Sequence, residues 1–126
     1  MQQPEKANAR LDMLAQHPTA DTSLLLAVAQ SYAQLGNVAG IERALTRLTK
    51  MTPDSPETHF DLAAVLAMQN KTTQAVASLT EALKQNGARR QKDGNAPNLY
   101  TNATNDARFA AVRGLPEYQH LVQLYK

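Results

Sequence analysis

Apolar residues recur three and four places apart along most of the chain, the spacing of helices that bury one face. Ala7, Leu11 and Leu14, with Met13 beside them, form the first such stripe, and Lys6, Arg10 and Gln16 lie off it. Pro4 suits the first turn of that helix and His17-Pro18 stops it, so a leading helix is expected over 4–17. Asp21 then offers a cap for a helix from Thr22 to Leu35, closed by the left-handed pair Gly36-Asn37. The next helix, Val38 to Met51, carries Ile41, Leu45 and Leu48 on one stripe and ends before Pro53. Two helices joined by so short a turn must pack antiparallel.

The plan then starts again. Ser55 caps, Pro56 takes the first helical position, a helix runs to Gln69, Asn70-Lys71 turns the chain, and a helix from Thr72 to Gln85 stops at Asn86-Gly87. The second hairpin begins 34 residues after the first, since 56 minus 22 is 34. At that offset Ala29 falls on Ala63, Ala33 on Ala67, Thr46 on Thr80 and Lys50 on Lys84, while Val28 meets Leu62, Tyr32 meets Leu66 and Leu45 meets Leu79. A helical hairpin repeated every 34 residues has the period of the tetratricopeptide repeat.

Both units, 22–55 and 56–87, resemble that family in more than period. Their first helices carry bulky–small–bulky sets, Val28, Ala29, Tyr32 and Leu62, Ala63, Leu66; their second helices carry Ile41, Leu45, Leu48 and Ala75, Leu79, Ala82. The family's twentieth position is normally small. Ala75 fits and Ile41 does not, so the first hairpin is expected to splay or to lean on Gly40. Leu25 and His59 stand where the family usually has tryptophan. The resemblance implies an all-α fold, a tetratricopeptide-like array of helical hairpins coiled as a right-handed superhelix.

Periodicity fails over 88–104, where Arg89-Arg90-Gln91-Lys92-Asp93-Gly94-Asn95-Ala96-Pro97-Asn98 reads as an exposed polar loop with Leu99-Tyr100 pinning its far end. Helical signals return over 105–126: Asp106 as a cap, a short helix Ala107 to Arg113 ended by Gly114, and a last helix from Pro116 to about Tyr125 with Tyr118, Leu121, Val122 and Tyr125 as its apolar face. The run Asp106-x-x-Phe109-x-x-Val112-Arg113-x-x-Pro116-x-Tyr118-x-x-Leu121-Val122 is similar to a closing segment of bacterial tetratricopeptide arrays, with Leu115 where an acidic cap is usual. Solenoids need such terminal caps. The whole chain, 1–126, is thus expected to be one domain.

Composition narrows the function classes. The chain has 126 residues, 5% of them aromatic and none tryptophan, so its core must be built largely from Ala, Leu and Val, which suits closely packed helices. Absence of cysteine removes disulfides, thiolate metal sites and a cysteine nucleophile. The apolar run Leu24–Ala29 is far too short to span a membrane, and Met1-Gln2-Gln3-Pro4-Glu5-Lys6 lacks the pattern of a secretory signal. A soluble chain is expected, cytoplasmic by default if Met1 is the native start, or else one part of a larger bacterial protein.

Nothing in the sequence asks for catalysis. His17, His59 and His120 belong to no ligand motif, Glu57 and Asp61 stand two residues from His59 and turn off its face, and neither a phosphate loop nor a nucleophile elbow is present. No cofactor, no metal and no enzymatic activity are expected. Arg89, Arg90 and Lys92 offer phosphates a contact with Tyr100 as a stacking ring, a nucleic-acid reading weaker than that of a solvated turn.

The resemblance does suggest a binding face. Transferred groove positions are Ser23, Leu26, Gln30, Ala33 and Gln34 in the first repeat and Glu57, Phe60, Ala64, Ala67 and Met68 in the second. No cation stands among them, so a clamp for peptide carboxylates is not expected, and Leu26, Phe60 and Met68 suit an apolar helix or strand. With two repeats the groove is short. Cover by the leading helix or the C-terminal segment is favoured over a vacant peptide site, and self-association as a homo-oligomer is a third reading.

Overall fold

Two left-handed residues, Gly36 (φ 71°) and Asn70 (φ 60°), turn the chain at the same place in both hairpins, 34 residues apart. In a computed structural model, which describes residues 4–126, each closes its helix in the same way. The Asn37 N–H donates to the Tyr32 carbonyl (2.9 Å) and the Gly36 N–H to that of Ala33 (3.1 Å); Lys71 and Asn70 repeat the pair on Leu66 and Ala67, both at 3.0 Å. This six-to-one and five-to-two pattern satisfies carbonyls that the helix end would otherwise orphan. Met1-Gln2-Gln3, part of the segment without a signal pattern, lie outside the described residues.

All regular structure among the described residues is helical, and the chain divides into two compact units at Pro53–Asp54. The first contains α1 (Pro4–Gln16), α2 (Thr22–Gln34) and α3 (Val38–Met51). Asp21 caps α2 through the Leu24 N–H, and Asn37 caps α3 through that of Gly40. Leu25, Val28, Ala29, Tyr32, Ala44, Leu45 and Leu48 form the buried core. Gly40 supplies the close approach that Ile41 does not, because a Cβ on Gly40 would fall 2.4 Å from the Tyr32 ring. The α2–α3 hairpin therefore leans on Gly40.

The inward face of α1 differs from the expected stripe. Met13 is 73% exposed and Leu14 41%, whereas Ala15 is buried. Polar ties choose this face: Asn37 donates to Asn8 (2.7 Å), Tyr32 and Arg43 (2.9 Å) both donate to Asp12, and Arg47 donates to the Ala15 carbonyl (2.5 Å). Asn8, Asp12 and Ala15 are spaced four and three residues apart, which is one side of a helix. The Tyr32 hydroxyl holds the Asp12 carboxyl below its ordinary pKa, and burial raises that of Tyr32 itself.

In the second unit α4 (Pro56–Met68) and α5 (Thr72–Lys92) form the hairpin, followed by α6 (Leu99–Asn105), a 3-10 turn at Ala107–Phe109 and α7 (Pro116–Leu124). Here α5 does not stop at Asn86-Gly87 but continues to Lys92. Asn86 is 2% exposed, and its buried amide clasps the returning chain, donating to the Pro97 carbonyl (2.7 Å) and accepting from the Leu99 N–H (2.9 Å). A residue that reads as a helix stop is spent on tertiary bonding. The polar loop shrinks accordingly to 93–98, since Asn98 caps α6 through the Tyr100 N–H and α6 buries Leu99 and Ala103. The short helix expected over 107–113 is a tighter turn, because the Asp106 carboxylate takes the Arg108 N–H and the Phe109 N–H bonds back only three residues, to the Asp106 carbonyl. Leu115 gives α7 no side-chain cap.

Candidate functional site

The expected groove residues meet two different fates. On α2, in the first unit, Ser23, Leu26, Gln30, Ala33 and Gln34 are all exposed, Leu26 by 46%. Their spacing of three, four and four residues places Ser23, Leu26, Gln30 and Gln34 along one side of the helix. On α4, in the second unit, Glu57 and Met68 are exposed, but Phe60, Ala64 and Ala67 are buried. Phe109 covers Phe60 edge to face, with ring centroids 5.3 Å apart and planes at 69°. Phe60 is therefore core, not an open groove wall, and its cover comes from the C-terminal segment.

What remains open beside Phe60 is a cleft of about 440 Å³ lined by Glu57, Phe60, Asp61, Leu99, Asn102, Asn105, Asp106 and Arg108. Glu57 and Asp61, one turn apart on α4, reach it together. Arg108 organises its charge, clasping Asp106 through Nε (3.1 Å) and Nη2 (2.7 Å) and standing 3.8 Å from Asp61. That clasp holds the Asp106 carboxyl below its ordinary pKa and raises the Arg108 guanidinium above its own. Desolvation raises the Asp61 carboxyl, only partly offset by Arg108. Glu57 pairs with Arg89 at 2.6 Å. The acids are thus engaged with arginines, and the lining contains no histidine.

The three basic residues 89, 90 and 92 sit in the last turns of α5 and not in a loop. Arg89 is committed to Glu57, and Arg90 donates to the Ala96 carbonyl (2.5 Å). Lys92 is exposed. Among the described residues no three His, Asp or Glu side chains stand together to hold a metal ion, and no helix is long and apolar enough to cross a membrane.

The cover over Phe60 was visible in the sequence only as an apolar Phe109 within a capping segment. A second cleft, which brings Tyr100, Arg90, Tyr125 and Lys126 together, depends on α5 continuing past Gly87 and has no local signal in the sequence. Comparison with protein-family models, curated proteins and solved structures found no match to this chain.

Proposed function

We propose that the chain is a non-catalytic protein-interaction scaffold of tetratricopeptide-like construction, which presents the exposed side of α2 to an apolar peptide or protein segment. The observation that carries this reading is the contrast within the repeated pair: on α4 Phe60 is covered by Phe109 and Ala64 and Ala67 are buried, whereas Ser23, Leu26, Gln30 and Gln34 on α2 stay exposed. The identical left-handed turns at Gly36 and Asn70 support the repeat itself. Among these α2 residues only Leu26 is a large apolar group, and none is charged. Recognition there rests on burying Leu26 with amide bonding from Gln30 and Gln34 rather than on ion pairing.

Selection from a displayed peptide library tests this. Enriched peptides should share an apolar anchor, and Leu26→Arg should abolish their binding while circular dichroism stays that of the parent. Enrichment of acidic peptides, or binding indifferent to Leu26→Arg, would refute it. Nucleic-acid binding through Arg89, Arg90 and Lys92 as one basic run is the weaker reading, because Arg89 is committed to Glu57 within the fold.

A further inference from the structure

We propose that a cleft in the second unit, between the C-terminal half of α5 and the ends of α6 and α7, binds a nucleotide, its ring stacked on tyrosine and its phosphate held by Arg90 and Lys126. The cleft measures about 450 Å³ and is lined by Asn98, Tyr100, Tyr125, Arg90, Gln91 and Lys126 among others. That volume falls within the range of small-ligand sites, about 300–1,000 Å³. Two side-chain cations and no Asp or Glu line it, in contrast to the cleft beside Phe60, whose lining includes Glu57, Asp61 and Asp106. An anion is the complementary guest.

The tyrosines make the ligand more than an anion. Of the four in the chain, Tyr32 and Tyr118 are buried with their hydroxyls given to Asp12 and to the Ala103 carbonyl. Tyr100 and Tyr125 are half-buried, and both line this one cleft. The Tyr125 ring lies over α5 at Gly87, where even a Cβ would be 3.9 Å from it, at ordinary van der Waals distance. Half-buried rings beside cations form the platform on which bases stack without sequence preference.

The remaining polar groups fit a base edge. Asn98 spends its Oδ1 on the Tyr100 N–H (3.1 Å), which leaves its two amide hydrogens, and Gln91 is exposed. Arg90 gives one nitrogen to the Ala96 carbonyl, and a guanidinium has five N–H groups, so donors remain for phosphate. Inorganic phosphate would need only the cations, and an apolar ring only the tyrosines. Their convergence points to a phosphate-bearing heteroaromatic ring, free or within a single strand, and it does not depend on the α2 face.

Calorimetric titration of the full chain at low salt with AMP, UMP, inorganic phosphate and short single-stranded oligo(U) tests this. Nucleotide binding should be saturable and tighter than that of phosphate. Tyr100→Leu and Tyr125→Leu should each weaken it about 5- to 150-fold, the range that loss of one stacked base implies. Tyr100→Phe should retain binding, and Lys126→Gln should weaken it and flatten its salt dependence. Equal affinity for AMP and for oligo(U) would assign a free nucleotide, and a gain with oligo(U) a strand. No heat from any nucleotide, phosphate binding as tight as AMP, or affinity unmoved by Lys126→Gln and both Tyr→Leu changes would overturn the proposal.

Discussion

Phe109→Ala tests whether the C-terminal segment is part of the second unit's core or a detachable cover. Phe109 is fully buried and its partner Phe60 is 5% exposed. Truncating a buried phenylalanine costs about 3–5 kcal/mol. About 0.5–1.5 kcal/mol of that belongs to the edge-to-face pair itself, beyond the area buried. With a urea slope of about 1–3 kcal/mol per molar, the unfolding midpoint read by circular dichroism should fall by about 1 M or more. Because the loss is comparable with the total stability of a small domain, about 5–15 kcal/mol, a gentler cycle isolates the ring term. Phe60→Leu, Phe109→Leu and the double change keep apolar bulk at both sites, and their coupling should equal the pair's share. A midpoint moved by less than about 0.3 M in Phe109→Ala, or a cycle additive within about 0.3 kcal/mol, would refute the packing argument.

Two further outcomes follow from the same unit. Asn86→Ala should cost at least about 1 kcal/mol in urea unfolding, because it orphans the buried Leu99 N–H at about 1–3 kcal/mol and also loses the bond to the Pro97 carbonyl, and amide exchange should accelerate first at Leu99. The two aspartates beside Arg108 should respond oppositely to pH: Asp106, held low, contributes stability above its unfolded value of about 3.9 that is lost as pH falls through its folded value, whereas Asp61, held high, favours the fold as pH falls from its raised value. Urea midpoints across the acid range should therefore show Asp106→Asn, which keeps a cap but loses the charge, destabilised at neutral pH by about 0.5–1 kcal/mol, and Asp61→Asn without the acid-side gain.

The helices were legible wherever their signals were local. Pro4, Asp21, Ser55 and Pro116 mark starts that the structure keeps, and the 34-residue offset reappears in the paired turns. Signals failed where a residue was spent over a distance. Asn86-Gly87 has the composition of a helix end, yet the Asn86 amide is used by residues eleven and thirteen places on, so α5 continues. The polarity of 88–104 hid an α-helix of seven residues, because the periodicity of Leu99 and Ala103 spans a single turn. Met13 and Leu14 looked inward by hydrophobicity, but side-chain bonds from α2 and α3 to Asn8 and Asp12 select another face of α1. Such partners are far away in sequence and leave no local periodicity.

The fate of Phe60 also bounds what the α2 face can do. At 1.5 Å per residue, the 13 residues of α2 present a strip about 20 Å long and about 10 Å wide. A stable complex buries about 800 Å² on each partner, several times what that strip offers. Leu26, already about half-buried, adds only part of the 1.5–3 kcal/mol that a fully buried leucine gives, about 1 kcal/mol. With Phe60 and Ala64 withdrawn into the core, a ligand confined to α2 would bind weakly and exchange quickly. Tight capture by this chain would require further surface, and Met13 and Leu14 on α1 of the same unit are exposed apolar groups that a longer partner segment can use. Multivalent display should therefore enrich ligands where monovalent titration registers only weak binding.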